Sequence, residues 1–502
     1  MASTWAPPTP STSGATSLDR FFHVTERGST VRTELIAGAA TWLTMAYIIF
    51  LNPIILGTIP DRLGNFVSGG SAFDAGKVAA VTALVAGALT LLMGVYANYP
   101  FALAAGLGLN AFVTFTLVGT FKLTWPQAMG VIVWEGLMIT LLVLTKFREL
   151  VLNAIPLDLK KAIGVGIGAF IAFIGLVNAG IVIHPKAGSP IVTLQPDLRH
   201  LNFLVFFIGL AITIALVSRK VRGALLGSIV LTTIIASIIN VGWGHSKIFL
   251  AQGPNVAKVP HHIVASPHLG LIGKFSLNLN GIALGTAIAL VISVMLSDFF
   301  DTMGTVVGIA GEAGLLDSEG KLPGINRVLL VDSLAAAAGG AASASSNTTY
   351  IESAAGVSEG GRTGLTSVVV AVLFFAALFL SSLAGTIPTE ATAPVLLMVG
   401  YFMMTIVKDI NWSDPAIGIP ALLIILVQPL TFSITNGVGA GFIAYTVIQL
   451  LRGDGWRDLA WSVSAIGQGR WREMGQRAWK LHPLMLVVAG IFGWYFWRGL
   501  LP

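Results

Sequence analysis

The sequence predicts an all-α polytopic membrane protein of about 14 transmembrane spans, built as a 7+7 inverted repeat whose third and tenth spans are broken. Three observations predict it. The first is composition: 55% of the 502 residues are hydrophobic and only 10% charged, with a mean hydropathy of +0.83. A soluble domain carries about a quarter charged residues, because water must wet its surface. The second is a series of apolar runs close to the roughly 20 residues that a bilayer-crossing helix needs. The third is a pair of interruptions at matching positions of the two halves. The 57 glycines fit close helix packing in lipid. The absence of cysteine excludes a disulfide framework, thiol catalysis and thiolate metal sites.

Seven runs come first, at about 34–57, 77–98, 101–120, 126–145, 160–178, 203–218 and 223–242. A long loop to about 280 follows, and then a second seven at 281–310, 326–343, 346–360, 362–383, 391–408, 415–431 and 433–451. Seven is odd, so the second set enters the membrane upside down relative to the first. Short-loop Lys and Arg residues mark the cytoplasmic side. With the N-terminus inside, Arg20, Arg27, Arg32, Lys146, Arg148, Lys160, Lys161, Arg219, Lys220 and Arg222 all fall inside, as do Arg452, Arg457, Arg470, Arg472, Arg477 and Lys480 of the tail. The last apolar run, 483–497, follows a segment rich in Trp and Arg (Trp456, Trp461, Trp471, Trp479) and reads as a helix at the membrane surface. Residues 1–19, with Pro7, Pro8 and Pro10 among Ser and Thr, read as disordered. No cleavable signal peptide is apparent, so the first span directs insertion.

Ionisable groups at membrane depth are costly and tend to face an interior cavity. Here they are Asp298 and Asp301 in the eighth span, Asp332 in the ninth, Glu352 in the tenth and Glu135 in the fourth, with no mid-span Lys, Arg or His. A buried carboxylate without a cation can bind a proton near neutral pH, or accept N–H donors of a neutral ligand. Asp298 and Asp301 share a helix face at i, i+3. Glu135 reads as a structural acid that bonds neighbouring hydroxyls. The four others, all between residues 298 and 352, read as a site.

The interruptions are Phe101-Ala-Leu-Ala-Ala-Gly106-Leu-Gly108-Leu-Asn110-Ala111-Phe112 and Ser345-Ser346-Asn347-Thr348-Thr349-Tyr350-Ile351-Glu352-Ser353-Ala354-Ala355-Gly356. Gly costs about 1 kcal/mol relative to Ala in a helix, and Ser, Thr and Asn compete for backbone bonds. Broken segments at equivalent positions of two halves point to a transporter site. Gly164-Val-Gly166-Ile-Gly168 imitates a nucleotide-binding turn but lies inside an apolar span, so it reads as packing. His261, His262 and His268 read as a solvated outer loop. No Walker A loop is present, and nothing calls for a cofactor, a metal, a catalytic residue or a nucleic acid.

With Phe22-His-Val-Thr25-Glu26-Arg27-Gly28-Ser29-Thr30, Thr41-Trp-Leu-Thr44-Met-Ala-Tyr47, Asn52-Pro53, Gly106-Leu-Gly-Leu-Asn110-Ala111, Asp298-Phe-Phe-Asp301-Thr302, Asn326-Arg-Val-Leu-Leu-Val-Asp332-Ser333 and Thr348-Thr-Tyr350-Ile-Glu352-Ser353 in this order, the sequence closely resembles the AzgA-like purine permeases, the adenine/guanine/hypoxanthine branch of the nucleobase–ascorbate transporter superfamily. The resemblance implies a core domain (34–145 and 281–383) and a gate domain (146–280 with the outer loop, and 384–451), flanked by a cytoplasmic segment (1–33) and an amphipathic tail (452–502). It also implies short strands in the third and tenth spans, an elevator-type core movement, dimerisation through the gate and a multi-pass place in the plasma membrane. Purine import by proton symport is the implied activity. Asp298, Asp301, Asp332 and Glu352 match the family's required acids, and Asn110 its amide.

A purine base is flat and neutral, edged with N–H donors and ring-nitrogen acceptors. Glu352 and Asp301 are expected to accept its N–H groups, and amides near Ala111, Phe112 and Thr349 to meet its acceptors, with Phe300 or Tyr350 on the ring face. Proton coupling falls to Asp298, Asp301, Asp332 and Glu352. The alternative is an anion channel or exchanger on the same architecture, which a site of four acids disfavours. A membrane enzyme is disfavoured by the lack of His and Cys at depth.

Overall fold

The computed structural model describes residues 17–145, 155–183, 192–242, 262–279, 282–317, 322–467 and 480–499. Lys146, Arg148, His184, His245, His261, Arg470, Trp471, Arg472, Arg477, Trp479 and residues 1–16 of the N-terminal segment lie outside these residues, as does the side chain of Phe300.

The protein is mainly helical. A first short helix, α1 (Ser17–Phe22), is followed by α2 (Val31–Met45), α3 (Ile48–Leu56), α4 (Ala75–Leu92), α5 (Leu107–Ala111) and α6 (Trp125–Leu144). Next come α7 (Leu157–Asn178), α8 (Leu201–Ser218) and α9 (Ala224–Gly242). The second half holds α10 (Leu284–Glu312), α11 (Ile325–Ala341), α12 (Ser353–Ser358), α13 (Gly364–Ala377), α14 (Thr389–Met404), α15 (Pro415–Thr431), α16 (Ile434–Leu451), α17 (Asp454–Gly467) and α18 (Pro483–Gly499). Among the described residues, nine helices are long and apolar enough to cross a membrane, and four shorter apolar ones accompany them. Large apolar side chains on their outer faces stand open; Leu284, Leu430 and Leu451 are each more than 70% exposed. Such a surface suits hydrocarbon, not water.

Local chemistry starts these helices. Thr30 caps α2 by accepting from Thr33 N at 3.1 Å, Asp74 caps α4 from Lys77 N at 3.3 Å, and Ser433 caps α16 from Asn436 N at 3.3 Å. Asp414 accepts from Ala416 N at 3.0 Å and pairs with Arg452 at 2.9 Å. The Ala416 amide first and the Arg452 side chain after it hold its carboxyl below the usual range.

The two interrupted segments are not continuous helices. Residues 101–120 contain strand β1 (Leu103–Ala105) before α5, which continues as a π-helical stretch over Phe112–Thr120. Beyond α7, a small outer hairpin pairs β2 (Val182–Ile183) with β3 (Thr193–Leu194). Residues 346–360 contain strand β4 (Asn347–Thr349) before the short α12. β1 and β4 pair antiparallel, with Leu103 opposite Thr349, Ala104 opposite Thr348 and Ala105 opposite Asn347. Gly106 N donates to Ser346 O, and Tyr350 N to Ala102 O, each at 2.9 Å, so the ladder extends past both ends. Gly339 lets α11 approach this strand: a Cβ there would fall 2.0 Å from Ser345 O and 2.4 Å from Asn347 Nδ2.

The tail differs from its surface-helix expectation in one respect. Met485 and Phe492 of α18 are fully buried, Gly439 of α16 lies under Phe492, and Tyr495 donates to Asn436 Oδ1 at 3.0 Å. Trp494 packs over Gly285 of α10. One face of α18 therefore belongs to the protein interior, because small residues on α16 and α10 make room for its aromatic rings.

Glu34, fully buried in α2, binds the start of α13 in the other half of the chain. It accepts from Arg362 N (2.9 Å), Thr363 N (3.3 Å), Thr366 N (3.2 Å) and Thr366 Oγ1 (2.5 Å). Glu34→Ala strands these donors, at a cost of about 3 kcal/mol or more. A lowered thermal unfolding midpoint in detergent is expected; an unchanged one removes this contact from the list of those that hold the fold.

Candidate functional site

The β1–β4 pair brings the separated site residues together. Asp332, on α11 behind β4, is buried and fully provided with donors. Its Oδ1 accepts from Thr349 N and Thr349 Oγ1, each at 2.8 Å, and its Oδ2 accepts from Thr302 Oγ1 at 2.7 Å. Thr302 gives its single hydroxyl hydrogen to Asp332, so Thr348, 2.7 Å away, donates to Thr302. The chain of donors runs Thr348 to Thr302 to Asp332, and it ties β4 to α10 and α11.

Glu352, just past β4, is half-buried, and Asp301 on α10 is exposed, so both can meet a ligand. Tyr47, at the break between α2 and α3, donates to Glu352 Oε1 at 2.6 Å. Tyr350 is buried and donates to Ala105 O at 2.5 Å, which fixes its ring beside the strand pair. Asp301 and Glu352 lie within electrostatic range of each other, and Tyr350 within range of both.

Asn110 lies on α5, one turn beyond β1. It is wholly buried, and neither its Oδ1 nor its Nδ2 has a partner. A buried primary amide with both ends unmatched is costly, and is expected where a ligand completes the pairing.

The structure thus places Asp301 within electrostatic range of Asp332, Glu352 and Tyr350, and Asp298 within range of Glu135 and Asp332. Ala111 and Phe112 are buried beside Asn110. The expectation that the amides of Phe112 and Thr349 meet ligand acceptors is corrected. The Thr349 N–H and hydroxyl both serve Asp332, and the Phe112 N–H donates to Gly108 O and Leu109 O within its helix. The Asn110 side chain holds the free donors instead. Among the described residues, no Lys, Arg or His side chain bonds Glu135, Asp298, Asp301, Asp332 or Glu352.

Sequence reasoning missed Tyr47, Thr302, Ser346 and Thr348 as site residues. Tyr47 and Thr302 stand inside motifs quoted above. A tyrosine hydroxyl within an apolar run, beside a helix break, is the signal that could have found the first.

A broken-helix pocket of buried polar groups inside an apolar helical body defines a membrane permease. The Permease family model Xan_ur_permease matches residues 32–439. The adenine permease AdeP of Escherichia coli K12 is 37% identical over 485 residues, which cover 96% of this chain and 97% of that protein. The guanine/hypoxanthine permease PbuO of Bacillus subtilis 168 is 36% identical over 478 residues, covering 94% and 98%. The chain belongs to the Permease family, and it is a transporter, not an enzyme. Among solved structures, the transmembrane domain of the cyanobacterial bicarbonate transporter BicA superposes with a TM-score of 0.56 at 14% identity, covering 82% of this chain and 96% of that one. SLC26A9 superposes with a TM-score of 0.60 at 10% identity, covering 85% and 66%. These two likenesses concern the fold.

Asp332→Asn turns one carboxylate oxygen into an NH2 group and leaves one or two of the three buried donors facing it, at about 1–3 kcal/mol. A lower unfolding midpoint is expected even without ligand. A midpoint equal to that of the unchanged protein assigns Asp332 a role other than holding β4.

Proposed function

We propose that this permease imports purine nucleobases (adenine, guanine and hypoxanthine) by proton symport. The observation that carries the reading is Asn110, on α5 just after β1, buried with both ends of its amide unmatched among the described residues, in a chain that also holds two accessible carboxylates, Glu352 just past β4 and Asp301 on α10. A purine edge supplies both an acceptor and donors. The Asn110 Nδ2 would meet a ring nitrogen, while Glu352 and Asp301 would take ring or exocyclic N–H groups, with Tyr350 on the ring face. Leaving one such group unpaired costs about 1–3 kcal/mol, so a sugar or an amino acid is rejected by mismatch. The full-length relatives named as adenine and guanine/hypoxanthine permeases support this substrate class.

In this reading the chain has fourteen spans in two inverted sevens. Residues 34–145 and 281–383 form a mobile core, and residues 146–280 and 384–451 a gate through which two copies dimerise. The core moves as an elevator, in a plasma membrane with the N-terminus inside. Protons bind the carboxylates Asp298, Asp301 and Glu352 of the core, with Asp332 beside them; neutralising charge lowers the cost of moving it through the bilayer. A bicarbonate transporter and SLC26A9 share the fold, yet an acidic site without a basic partner suits a neutral, donor-rich cargo better than an anion.

Uptake of radiolabelled adenine, guanine, hypoxanthine, xanthine and uracil by expressing cells, with and without a protonophore, tests the reading. Purine uptake that collapses with the proton gradient is expected; uptake of none of the five, or uptake indifferent to the protonophore, overturns it. Glu352→Gln should lower uptake by roughly 10- to 100-fold, the equivalent of one lost hydrogen bond to a charged group, with the protein still in the membrane. Asp301→Asn should flatten the pH dependence of uptake; a normal profile would move that role to another acid.

A further inference from the structure

Glu135 is an acid that the reading above does not use. It projects from the middle of α6, is wholly buried, and faces Asp298 of α10, which is also wholly buried. The hydroxyl of Ser346 sits between them, 3.4 Å from Glu135 Oε1 and 3.4 Å from Asp298 Oδ2. Among the described residues, no N–H or O–H donor reaches Glu135 Oε2 or Asp298 Oδ1.

The hydrogens around this pair can be counted. Ser346 has one, and can give it to only one of the two carboxyl groups. Thr348, the next hydroxyl beside Asp298, has a single hydrogen, and Thr302, 2.7 Å away and giving its own hydrogen to Asp332, competes with Asp298 for it. Facing the pair, α11 contributes Asp332, a further negative charge, and β4 contributes only hydroxyl and amide groups; Asp301, one turn along α10 from Asp298, lies within range of Asp332 and Glu352. No Lys, Arg or His among the described residues bonds either acid. Two facing carboxylates, sealed from water with one hydroxyl hydrogen between them, lack one hydrogen for a bonded pair.

We propose that Glu135 and Asp298 together hold a single proton, and that this occluded carboxyl pair, with Ser346 as its bridge, is where the transported proton rides. The inference rests on the proton-symport reading and names the residue in which that reading is incomplete. The bound proton turns two repelling groups into a hydrogen-bonded pair joining α6 to α10. Ser346 immediately precedes β4, whose far end carries Tyr350 and Glu352, so gain or loss of this proton acts on the strand that holds the ligand. Glu135 is accordingly a proton-binding and positioning residue, not a ligand contact.

Infrared difference spectra of purified protein in lipid, titrated with pH in the absence of any purine, read the pair directly. Wild type is expected to show a protonated-carboxyl band that is lost in Glu135→Gln, whose amide donates to Asp298 without a proton. Glu135→Asp should keep a band with a shifted pH dependence. In proteoliposomes with an imposed pH gradient, each coupled proton is worth about tenfold in accumulation per pH unit. Glu135→Gln should lose that factor and give uptake that is flat with pH, while Glu135→Asp recovers part of it. A wild-type spectrum without a protonated-carboxyl band overturns the proposal, whatever the variants do. So does a Glu135→Gln protein that keeps both the band and the wild-type pH profile. If the band behaves as expected but no purine is accumulated, the carboxyl pair stands and the substrate reading falls.

Discussion

Inside a bilayer there is no water to bond an unpaired backbone group, and each one left open costs several kcal/mol. Two segments of this chain leave the helical state in the middle of apolar runs, and each resolves the other's problem. β1 and β4 pair antiparallel across about half the length of the chain, and the ladder runs on through Gly106 and Tyr350. Neither half could adopt its break alone. The site exists because the two breaks are mutually required.

Once that pair is in place, hydrogen-bond donors divide the acids into kinds. Asp332 takes three donors and spends its charge on holding Thr349 and Thr302. Glu352 takes one from Tyr47 and stands beside its own backbone amide, and it is half-buried. Asp301 is exposed and accepts none among the described residues. A fully bonded carboxylate is a structural post, and a partly bonded one at a cavity is available for a ligand. Four acids that look equivalent as a sequence pattern are therefore not equivalent in space.

The membrane class and the positions of both breaks were legible in the sequence because each rests on local cost: a charge or a poor helix former within an apolar run is expensive wherever it occurs. Strand formation itself was not legible from residues, since three-residue strands leave no periodicity; the resemblance supplied it. Tyr47 and Glu135 escaped for another reason. Their partners lie 305 and 211 positions away, and nothing in a single apolar helix announces such a contact. Glu135 in particular reads as a lone structural acid until α10 and β4 are placed beside it. The amides of Phe112 and Thr349 were misjudged because a helical or side-chain acceptor already in hand is visible only in three dimensions.

A fold shared at 10–14% identity with a bicarbonate transporter and with SLC26A9 does not carry a substrate with it. What this architecture supplies is a strand pair flanked by the starts of α5 and α12, a place where polar side chains from both halves meet with their backbone already satisfied. The sign of the cargo is then set by a handful of side chains. Here the strand pair is lined by carboxylates, hydroxyls and one unmatched amide, and no cation among the described residues offsets them. An anion entering such a place would meet like charge in a medium of low dielectric, where repulsion is least screened. A neutral ring bearing N–H groups meets acceptors instead, and a proton meets a pair of acids short of one hydrogen. Both fit the same excess of acceptors over donors, which is why ligand and proton can share one small region without competing for the same atoms.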